Sequence, residues 1–354
     1  QDNDILFQEL PARDGVIGQV VLSRGAALNA LTLSMLSRLH EQLTTWEQQD
    51  NCHAVVIKSD TRRAFCAGGD LRSLYDSQHQ NLGDSHPYFS VEYSLNKFLY
   101  HFSKPYIALL DGITMGGGVG ISLHGSHCVA TENCVWAMPE SKIGFFPDVG
   151  ASYYLSRAPE MMGWYLALSG RSIDASIAYD LGLVNYVVSS DKLGEIERAL
   201  CVADFANDAH AAVDALLADF HHVPELSELV EYYPIIRRCF SQCSVTDVIQ
   251  SLEFEGTAWS DELVAELQLR SPFSLELIFE QLYRAGSMEF DSVIEQDFVL
   301  VQHFVRDQDL FEGIRAVLID KDQQPRWQPA SLPEVDHDKV LAYFETLSQT
   351  VRLS

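Results

Sequence analysis

The chain has 354 residues, of which 47% are hydrophobic, and a formal net charge of -26. It is therefore long enough to bury a substantial core, while its acidic character argues against general electrostatic binding to DNA or RNA. No apolar run reaches the roughly 18 to 20 residues of a membrane span, and the N-terminus lacks the basic and apolar segments of a signal peptide. An anionic ligand would need a local basic patch.

Seven cysteines are scattered along the chain without a Cys-x-x-Cys pair. An odd, dispersed set of this kind is typical of reduced, mostly buried thiols. Together with the lack of a signal peptide, it predicts a cytoplasmic protein. No histidine, cysteine and acidic residues share the spacing of metal ligands, so we expect no metal and no separate cofactor.

The first part of the chain alternates strands and helices. The apolar run of residues 16–22 predicts a buried strand, and Thr32 is a suitable N-cap for a helix with apolar side chains every three or four residues. Residues 54–57 predict the next strand. A strand, a helix and a strand in this order predict a parallel β-α-β crossover.

Two glycine-rich junctions follow. Residues 60–70 form a loop that Asp70 ends, as the cap of a helix beginning at Leu71. After a polar loop at 77–87 and a helix at 88–101, a strand at 106–110 leads into residues 112–120, with the sequence GITMGGGVG. Glycines here allow close approach of the backbone and can direct N–H groups at a ligand. A tight strand-to-helix turn is the alternative interpretation, and neither familiar nucleotide-binding glycine motif is present.

Gly69 and Gly117 stand at these two junctions, and each could supply a backbone N–H to the same carbonyl oxygen. Downstream, Glu140 and Asp148 each follow a proline in a segment that is otherwise apolar and rich in glycine. Charged residues are unusual there unless they have a function, although two exposed loop acids would explain the pattern as well.

From about residue 191 the pattern changes to successive helices with few candidate strands. We therefore expect two regions: an α/β core over residues 1–205 that contains the site, and a mainly helical C-terminal region over residues 206–354.

Several stretches resemble the crotonase, or enoyl-CoA hydratase/isomerase, superfamily. The general marks are LNAL at 28–31, FCAGGD at 65–70 and the GGG run at 116–118. More specific marks resemble its thioester-hydrolysing branch: GITMGGGVG at 112–120, MPE at 138–140 with FPDVG at 146–150, and EGIRAVLIDKD at 312–322. These marks cover nearly the whole chain.

The resemblance implies an α/β fold in which repeated ββα units form a spiral core, followed by a helical C-terminal region that mediates self-association into a homo-oligomer. It also implies an acyl-coenzyme A substrate. Gly69 and Gly117 match the glycines whose N–H groups form an oxyanion hole, and the carbonyl of Ala67 matches the position that meets the adenine. Arg62 and Arg63 are candidate partners for the coenzyme A phosphates, with surface ion pairs as an equal alternative.

The resemblance also bears on the reaction. Hydratases of the superfamily carry a catalytic glutamate where this chain has Gly120, and a second one that aligns with Glu140. The implied reaction is therefore hydrolysis of a short 3-hydroxyacyl-CoA, with 3-hydroxyisobutyryl-CoA of valine catabolism as the expected substrate. Glu140 would act as nucleophile or general base, Asp148 would orient the hydroxyl or the water, and Glu92 would contact the substrate hydroxyl.

Two alternatives remain at this point. One is an enoyl-CoA hydratase or isomerase, and the other is a non-catalytic subunit that binds acyl-CoA. Several carboxylates in one apolar pocket should push their pKa values apart.

Overall fold

The computed structural model describes residues 3–79 and 86–346. Its strands are β1 (Ile5–Ala12), β2 (Gly15–Leu22), β3 (Cys52–Ser59), β4 (Ala64–Cys66), β5 (Tyr106–Leu110), β6 (Ile113–Met115), β7 (His127–Thr131), β8 (Val135–Ala137), β9 (Ile173–Asp174) and β10 (Tyr186–Val188).

The helices of the same residues are α1 (Leu33–Gln48), α2 (Leu71–His79), α3 (His86–Tyr100), α4 (Gly117–Gly120), α5 (Ala151–Leu155), α6 (Met162–Ser169), α7 (Ala175–Asp180), α8 (Leu193–Val202), α9 (Ala209–Ala218), α10 (Tyr233–Phe240), α11 (Val245–Glu255), α12 (Ala258–Gln268), α13 (Pro272–Ala285), α14 (Phe290–Phe304), α15 (Asp309–Ile314) and α16 (His337–Ala342). Within these residues no helix combines the length and the apolar character needed to cross a bilayer.

The larger sheet has the strand order β1-β2-β3-β5-β7-β10. β1 and β2 form an antiparallel hairpin, and the remaining neighbours pair in parallel. β2 pairs in parallel with β3, and α1 connects them, which confirms the predicted β-α-β crossover. The Thr32 hydroxyl accepts the Met35 N–H and so caps α1 as expected.

A smaller sheet has the order β4-β6-β8-β9. β3, β5 and β7 of the larger sheet are each followed by a short strand of the smaller one, β4, β6 and β8. The first two pairs lead directly into α2 and α4. The chain therefore repeats a ββα unit, as the sequence predicted, and the described residues after 205 form helices without strands.

Alternate residues of the larger sheet form one face of the core. Because successive side chains of a strand point to opposite faces, every second position can meet the same layer of helices. The cluster consists of Ile17, Ala54, Val56, Ile107, Leu109, Val129 and Val188 from the strands, with Ile196, Leu200, Val213 and Leu217 from α8 and α9.

The chain divides into two compact units whose segments interleave along the sequence. The first comprises residues 1–69, 94–136 and 173–227, and the second comprises residues 70–93, 137–172 and 228–354. The first contains both sheets. The second contains helices, among them α13 and α14. Residue 205, the expected boundary, lies inside the first unit and is not a point where the chain passes between units.

Several local predictions differ from the structure. β1 was not predicted, because its apolar and polar residues do not alternate regularly. The predicted loop at 77–87 is helical at both ends, where α2 continues to His79 and α3 begins at His86; residues 80–85 lie outside the described part. Tyr186–Val188 forms β10, and Arg315–Ile319 forms a π-helical turn. All seven cysteines are free, and five are buried.

Candidate active site

The first part of the site is built by two neighbouring strand ends. β4 and β6 are parallel, with Cys66 opposite Thr114, so the segments that follow these two strands leave the sheet at the same edge. Gly69 and Gly117 each lie three residues beyond this matched pair. The two glycines predicted to act together are therefore brought to corresponding positions of adjacent loops.

The two loops approach each other so closely that side chains are excluded. Gly68 has a φ of 111°, and a Cβ there would lie 3.3 Å from the Met115 carbonyl oxygen and 3.6 Å from the Gly117 nitrogen. A Cβ on Gly118 would lie only 2.3 Å from the Cys66 carbonyl oxygen. Glycine is required at both positions for this contact of backbone with backbone.

The N–H groups of Gly69 and Gly117 have no acceptor among the described residues. Gly117 is the first residue of α4, where the helix offers no partner for an N–H. The bridge between Leu31 and Gly69 uses the Gly68 carbonyl, which accepts the Leu31 N–H. Both donors can therefore serve an acceptor supplied from outside the chain.

The other residues predicted to contact coenzyme A, Ala67, Arg62 and Arg63, lie shortly before Gly69 in the sequence. Ala67 is half-buried, and its N–H donates to the Leu28 carbonyl at 3.0 Å. Arg62 and Arg63 are exposed, and the Arg62 Nε lies 3.9 Å from a carboxylate oxygen of Asp111. This long contact is the surface ion pair that the sequence left as an alternative. It leaves most of the guanidinium accessible, because the Arg62 side chain is 72% exposed.

The remaining predicted site residues belong to the second compact unit, where they form a cluster of buried acids. Glu92 comes from α3, Glu140 begins the 3-10 turn Glu140–Ile143, and Asp148 lies in the following turn. All three side chains are buried, with Glu140 the most exposed at 7%. The alternative of two exposed loop acids at 140 and 148 is therefore wrong.

These carboxyl groups perturb each other's ionisation. Burial raises the pKa of Glu140 and of Glu92 well above the usual glutamate value, and the nearby Asp148 carboxyl raises both further. Burial also raises the pKa of Asp148, to about 7, although the hydrogen bond from Tyr93 opposes the shift. All three pKa values are therefore raised, whereas the sequence led us to expect values pushed apart.

Tyr93 belongs to this cluster but was not predicted. Its hydroxyl donates to Asp148 Oδ2 at 2.7 Å, and its ring packs edge-on against Phe298. The Tyr88 hydroxyl donates to Glu92 Oε1 at 3.3 Å. In sequence, these tyrosines are part of an aromatic helix, and nothing in the helical pattern separates a ring that packs from a hydroxyl that holds a carboxylate.

Glu140 differs from Asp148 in its hydrogen bonding. Its Oε2 is buried and has no hydrogen-bond partner within the described residues, whereas Asp148 is held by Tyr93. A buried carboxyl oxygen without a partner is unfavourable in a fold that gains nothing from it. It is suited to attack an electrophile or to take a proton from water.

A fourth buried carboxylate, Asp297, was also missed. It is fully buried on α14, and burial followed by the charge of Asp148 raises its pKa well above the usual value. The signal was present in the sequence, because Asp297 interrupts the apolar face formed by Val293, Ile294 and Val301.

Gly120, where hydratases of the resembling superfamily carry a glutamate, is a buried residue of α4. Its carbonyl accepts the side-chain amide of Asn96 at 3.0 Å. Within the described residues no group of three or more histidine, cysteine or acidic side chains is arranged to hold a metal ion. The expectation that no cofactor is needed stays a prediction.

Comparison with known proteins identifies the family. The sequence profile of the family described as enoyl-CoA hydratase/isomerase matches residues 17–344. The chain belongs to this enoyl-CoA hydratase/isomerase family. A human member named 3-hydroxyisobutyryl-CoA hydrolase, mitochondrial, is 36% identical over 352 residues, which are 98% of this chain and 91% of the relative. A relative of the same name from Xenopus tropicalis is 37% identical over 96% of this chain and 89% of its own.

Solved structures of the enoyl-CoA hydratase/isomerase family share the fold. A structure described as a carnitinyl-CoA dehydratase from Mycobacterium thermoresistibile has a TM-score of 0.90 and 34% identity, covering 100% of this chain and 99% of its own. One described as an enoyl-CoA hydratase from Rhodobacter sphaeroides has a TM-score of 0.87 and 31% identity, covering 97% and 98%. The crotonase-type fold expected from the sequence is confirmed over the full chain.

Proposed function

We propose that the protein hydrolyses the thioester of a short 3-hydroxyacyl-CoA, with 3-hydroxyisobutyryl-CoA as its substrate and the free hydroxy acid and coenzyme A as products. The observation that carries the proposal is the buried pair of Glu140 and Asp148 in a chain that has glycine at position 120. Addition of water to an enoyl-CoA calls for two carboxylates around that water, at the positions of Gly120 and Glu140. Relatives named as 3-hydroxyisobutyryl-CoA hydrolases, about 36% identical over nearly the whole chain, support the substrate.

In this proposal, the N–H groups of Gly69 and Gly117 stabilise the negative charge that develops on the thioester oxygen. Preorganised backbone donors of this kind are a large contributor to acyl-transfer catalysis. The close approach of the two loops and the lack of an acceptor for either N–H among the described residues support the role.

Glu140 attacks the carbonyl carbon, or takes a proton from a water that does so. By the first route the C–S bond breaks, an anhydride with Glu140 forms, and the departing thiolate receives a proton from Asp148. Water then cleaves the anhydride. By the second route the water that Glu140 deprotonates adds to the carbonyl carbon, the C–S bond breaks, and the thiolate leaves with a proton from Asp148, which gives the free acid and coenzyme A. Hydroxylamine separates the two, because only an anhydride can leave a hydroxamate on Glu140.

Glu92 and Asp148 bind the polar end of the acyl group in this proposal. A 3-hydroxyl needs a hydrogen-bond acceptor or donor in an otherwise apolar pocket, and burial raises the pKa of Glu92, which favours its protonated form, a donor as well as an acceptor. Ala67 supplies a carbonyl for the adenine. Arg62 and Arg63 are exposed cations that can pair with the coenzyme A phosphates.

The test is a panel of 3-hydroxyisobutyryl-CoA, 3-hydroxypropionyl-CoA and crotonyl-CoA, followed by free thiol release and by enoyl absorbance. We expect thiol release from the hydroxyacyl thioesters. Hydration of crotonyl-CoA without thiol release would instead support the hydratase activity named in the description of the Rhodobacter sphaeroides structure. Tight binding without turnover on any thioester would support a non-catalytic subunit.

The relatives are named as mitochondrial, so the cytoplasmic location expected from the sequence is not supported. Free cysteines are compatible with a reducing compartment. We propose that the protein lies in the mitochondrial matrix if its host has mitochondria, and in the cytoplasm if its host is a bacterium. Assembly into a homo-oligomer stays a prediction.

A further inference from the structure

The turn of residues 147–150, which carries Asp148, is held at both ends by helices of the same compact unit. The Gly150 N–H donates to Asp297 Oδ2 of α14 at 2.8 Å. The Pro147 carbonyl accepts Nε2 of Gln281 of α13 at 2.8 Å. The same Gln281 Nε2 donates to Asp297 Oδ1 at 3.1 Å, so the two polar side chains form one connected brace.

Burial of the brace is energetically unfavourable unless its hydrogen bonds compensate for the lost hydration. Asp297 and Gln281 are both fully buried. A buried carboxylate loses its hydration, and well-packed apolar side chains of similar volume often stabilise a fold as well or better. Both oxygens of Asp297 are engaged with the turn or with Gln281. The hydrogen bonds of the polar pair therefore fix the orientation of the turn, which apolar packing alone could not do.

The turn itself needs such support. Val149 has a φ of 52°, in the left-handed region that is unfavourable for a branched side chain. Gly150 follows with a φ of 76°, and a Cβ there would lie 2.7 Å from the ring of Phe290 on α14. A strained backbone of this kind persists only where its surroundings determine it fully.

We propose that Asp297 and Gln281 are positioning residues that fix the turn of residues 147–150 and thereby orient the Asp148 carboxyl for the reaction. The Tyr93 hydroxyl holds that carboxyl directly, whereas the brace holds the backbone before and after it. The inference rests on the proposed function of Asp148 in thioester hydrolysis.

The test is a set of double-mutant cycles with Asp148→Asn. In Asp297→Asn the new amide faces Gln281 Nε2, so Gln281 must turn its oxygen toward it and release the Pro147 carbonyl. Gln281→Leu removes both of its donors at similar volume. We expect each to lower kcat by about 10²-fold, the usual effect of a small misplacement of a catalytic group, with KM nearly unchanged. Added to Asp148→Asn, each should cause little further loss, because residues that act through one group are not additive.

The matched control is Asp309→Asn. Asp309 is also buried and also accepts two hydrogen bonds, from the Ser271 hydroxyl and the Gln328 N–H. Its loss should lower the melting temperature and combine additively with Asp148→Asn. If the Asp297 and Gln281 variants are additive with Asp148→Asn in the same way, the brace is merely structural and the inference is wrong. If one of the two variants does not fold, the other carries the cycle.

A second readout does not depend on turnover. The ¹³C chemical shift of the Asp148 carboxyl should change in Asp297→Asn and Gln281→Leu and stay constant in Asp309→Asn. An unchanged shift in both brace variants overturns the inference, whatever reaction the enzyme performs. Absence of thiol release by the unmodified enzyme would contradict the proposed function alone.

Discussion

Glu140 and Asp148 are close in sequence and share a buried setting, yet their hydrogen bonds differ. Tyr93 donates to Asp148, while Glu140 keeps one buried oxygen without a partner in the described part of the chain. A carboxylate that lacks donors and whose pKa is raised is a better base and nucleophile than one in water. In the proposed mechanism this environment suits Glu140 to the reactive role and Asp148 to the supporting one.

We expect Glu140→Gln to reduce thiol release from 3-hydroxyisobutyryl-CoA by roughly 10²- to 10⁴-fold, the usual contribution of an acid or base group. Binding of free coenzyme A, measured by calorimetry, should stay nearly unchanged. Glu276→Gln is the matched control, since Glu276 is another acid whose pKa burial raises, on α13. Normal turnover by Glu140→Gln would remove Glu140 from the mechanism.

The pH dependence follows from the same residues. In the proposed mechanism Glu140 must be ionised to act, and because its pKa is raised, the acid limb of the kcat/KM profile should be displaced to higher pH. The half-maximal value should lie well above the value of about 4 for an ordinary glutamate. In Asp148→Asn the neighbouring charge is lost, so the acid limb should move to lower pH. A limb near pH 4 in the unmodified enzyme would contradict the shared burial of the pair, whose apparent pKa values belong to both groups.

At the scale of elements, the parallel pairing of β4 with β6 positions backbone groups, just as the buried cluster positions carboxyl side chains. It carries two loops out of one sheet edge in matched register, so two N–H groups far apart in sequence become neighbours. α4 is only four residues long. Its value to the site is the donor at its first residue rather than its packing.

We expect Gly117→Pro to lower kcat by about 10²- to 10³-fold, the loss typical of one oxyanion donor. Proline removes the N–H, and the first position of a helix tolerates its ring. Circular dichroism would establish that the variant folds. Near-normal thiol release by the folded variant would show that the oxyanion assignment is wrong.

A second substitution tests the close approach of the loops. Gly118→Ala places a Cβ 2.3 Å from the Cys66 carbonyl oxygen, so β4 and α4 must separate. We expect a clear loss of both activity and thermal stability. Gly194→Ala is the matched control: a Cβ there meets only the end of Arg198 at 3.5 Å, and alanine favours the helix α8 by up to about 1 kcal/mol. Equal behaviour of the two variants in a thermal melt would contradict the tight contact.

At the scale of the whole molecule, the buried acids make the site a source of instability. The folded-state pKa of Asp148, about 7, lies above the value near 4 of an unfolded aspartate. Between these values the folded state binds more protons than the unfolded state. The free energy of unfolding therefore falls as the pH rises from about 4 to about 7, and it stays reduced above pH 7.

Asp148→Asn removes this titration, so we expect the inactive variant to melt at a higher temperature than the unmodified protein. The difference should be largest near pH 8 and should shrink progressively between about pH 7 and pH 4. Scanning calorimetry across this range is the measurement. A difference that does not vary with pH would mean that burial does not raise the pKa of the Asp148 carboxyl. It would also argue against a site that lowers stability in return for activity.

The sequence predicted much of the framework but fewer of the partners. Long apolar runs identified β2, β3 and β5, and the glycine and proline motifs identified Gly69, Gly117, Glu140 and Asp148. The three-residue strands β4 and β6 were hidden in glycine-rich loops, because their pairing depends on each other rather than on local pattern. Asp297 interrupts an apolar helix face and could have been found from that pattern, but the hydrogen-bond partners of Tyr93 and Asp297 lie 55 and 147 positions away, which no periodicity can show.

The interleaving of the two compact units has a consequence for how such an enzyme can change over generations. The chain passes from one unit to the other after residues 69, 93, 136, 172 and 227. A single recombination event anywhere between these points exchanges fragments of both units and a whole copy of neither. Recombination between residues 69 and 227 therefore disrupts both units, whereas a crossover after residue 227 leaves the first unit whole.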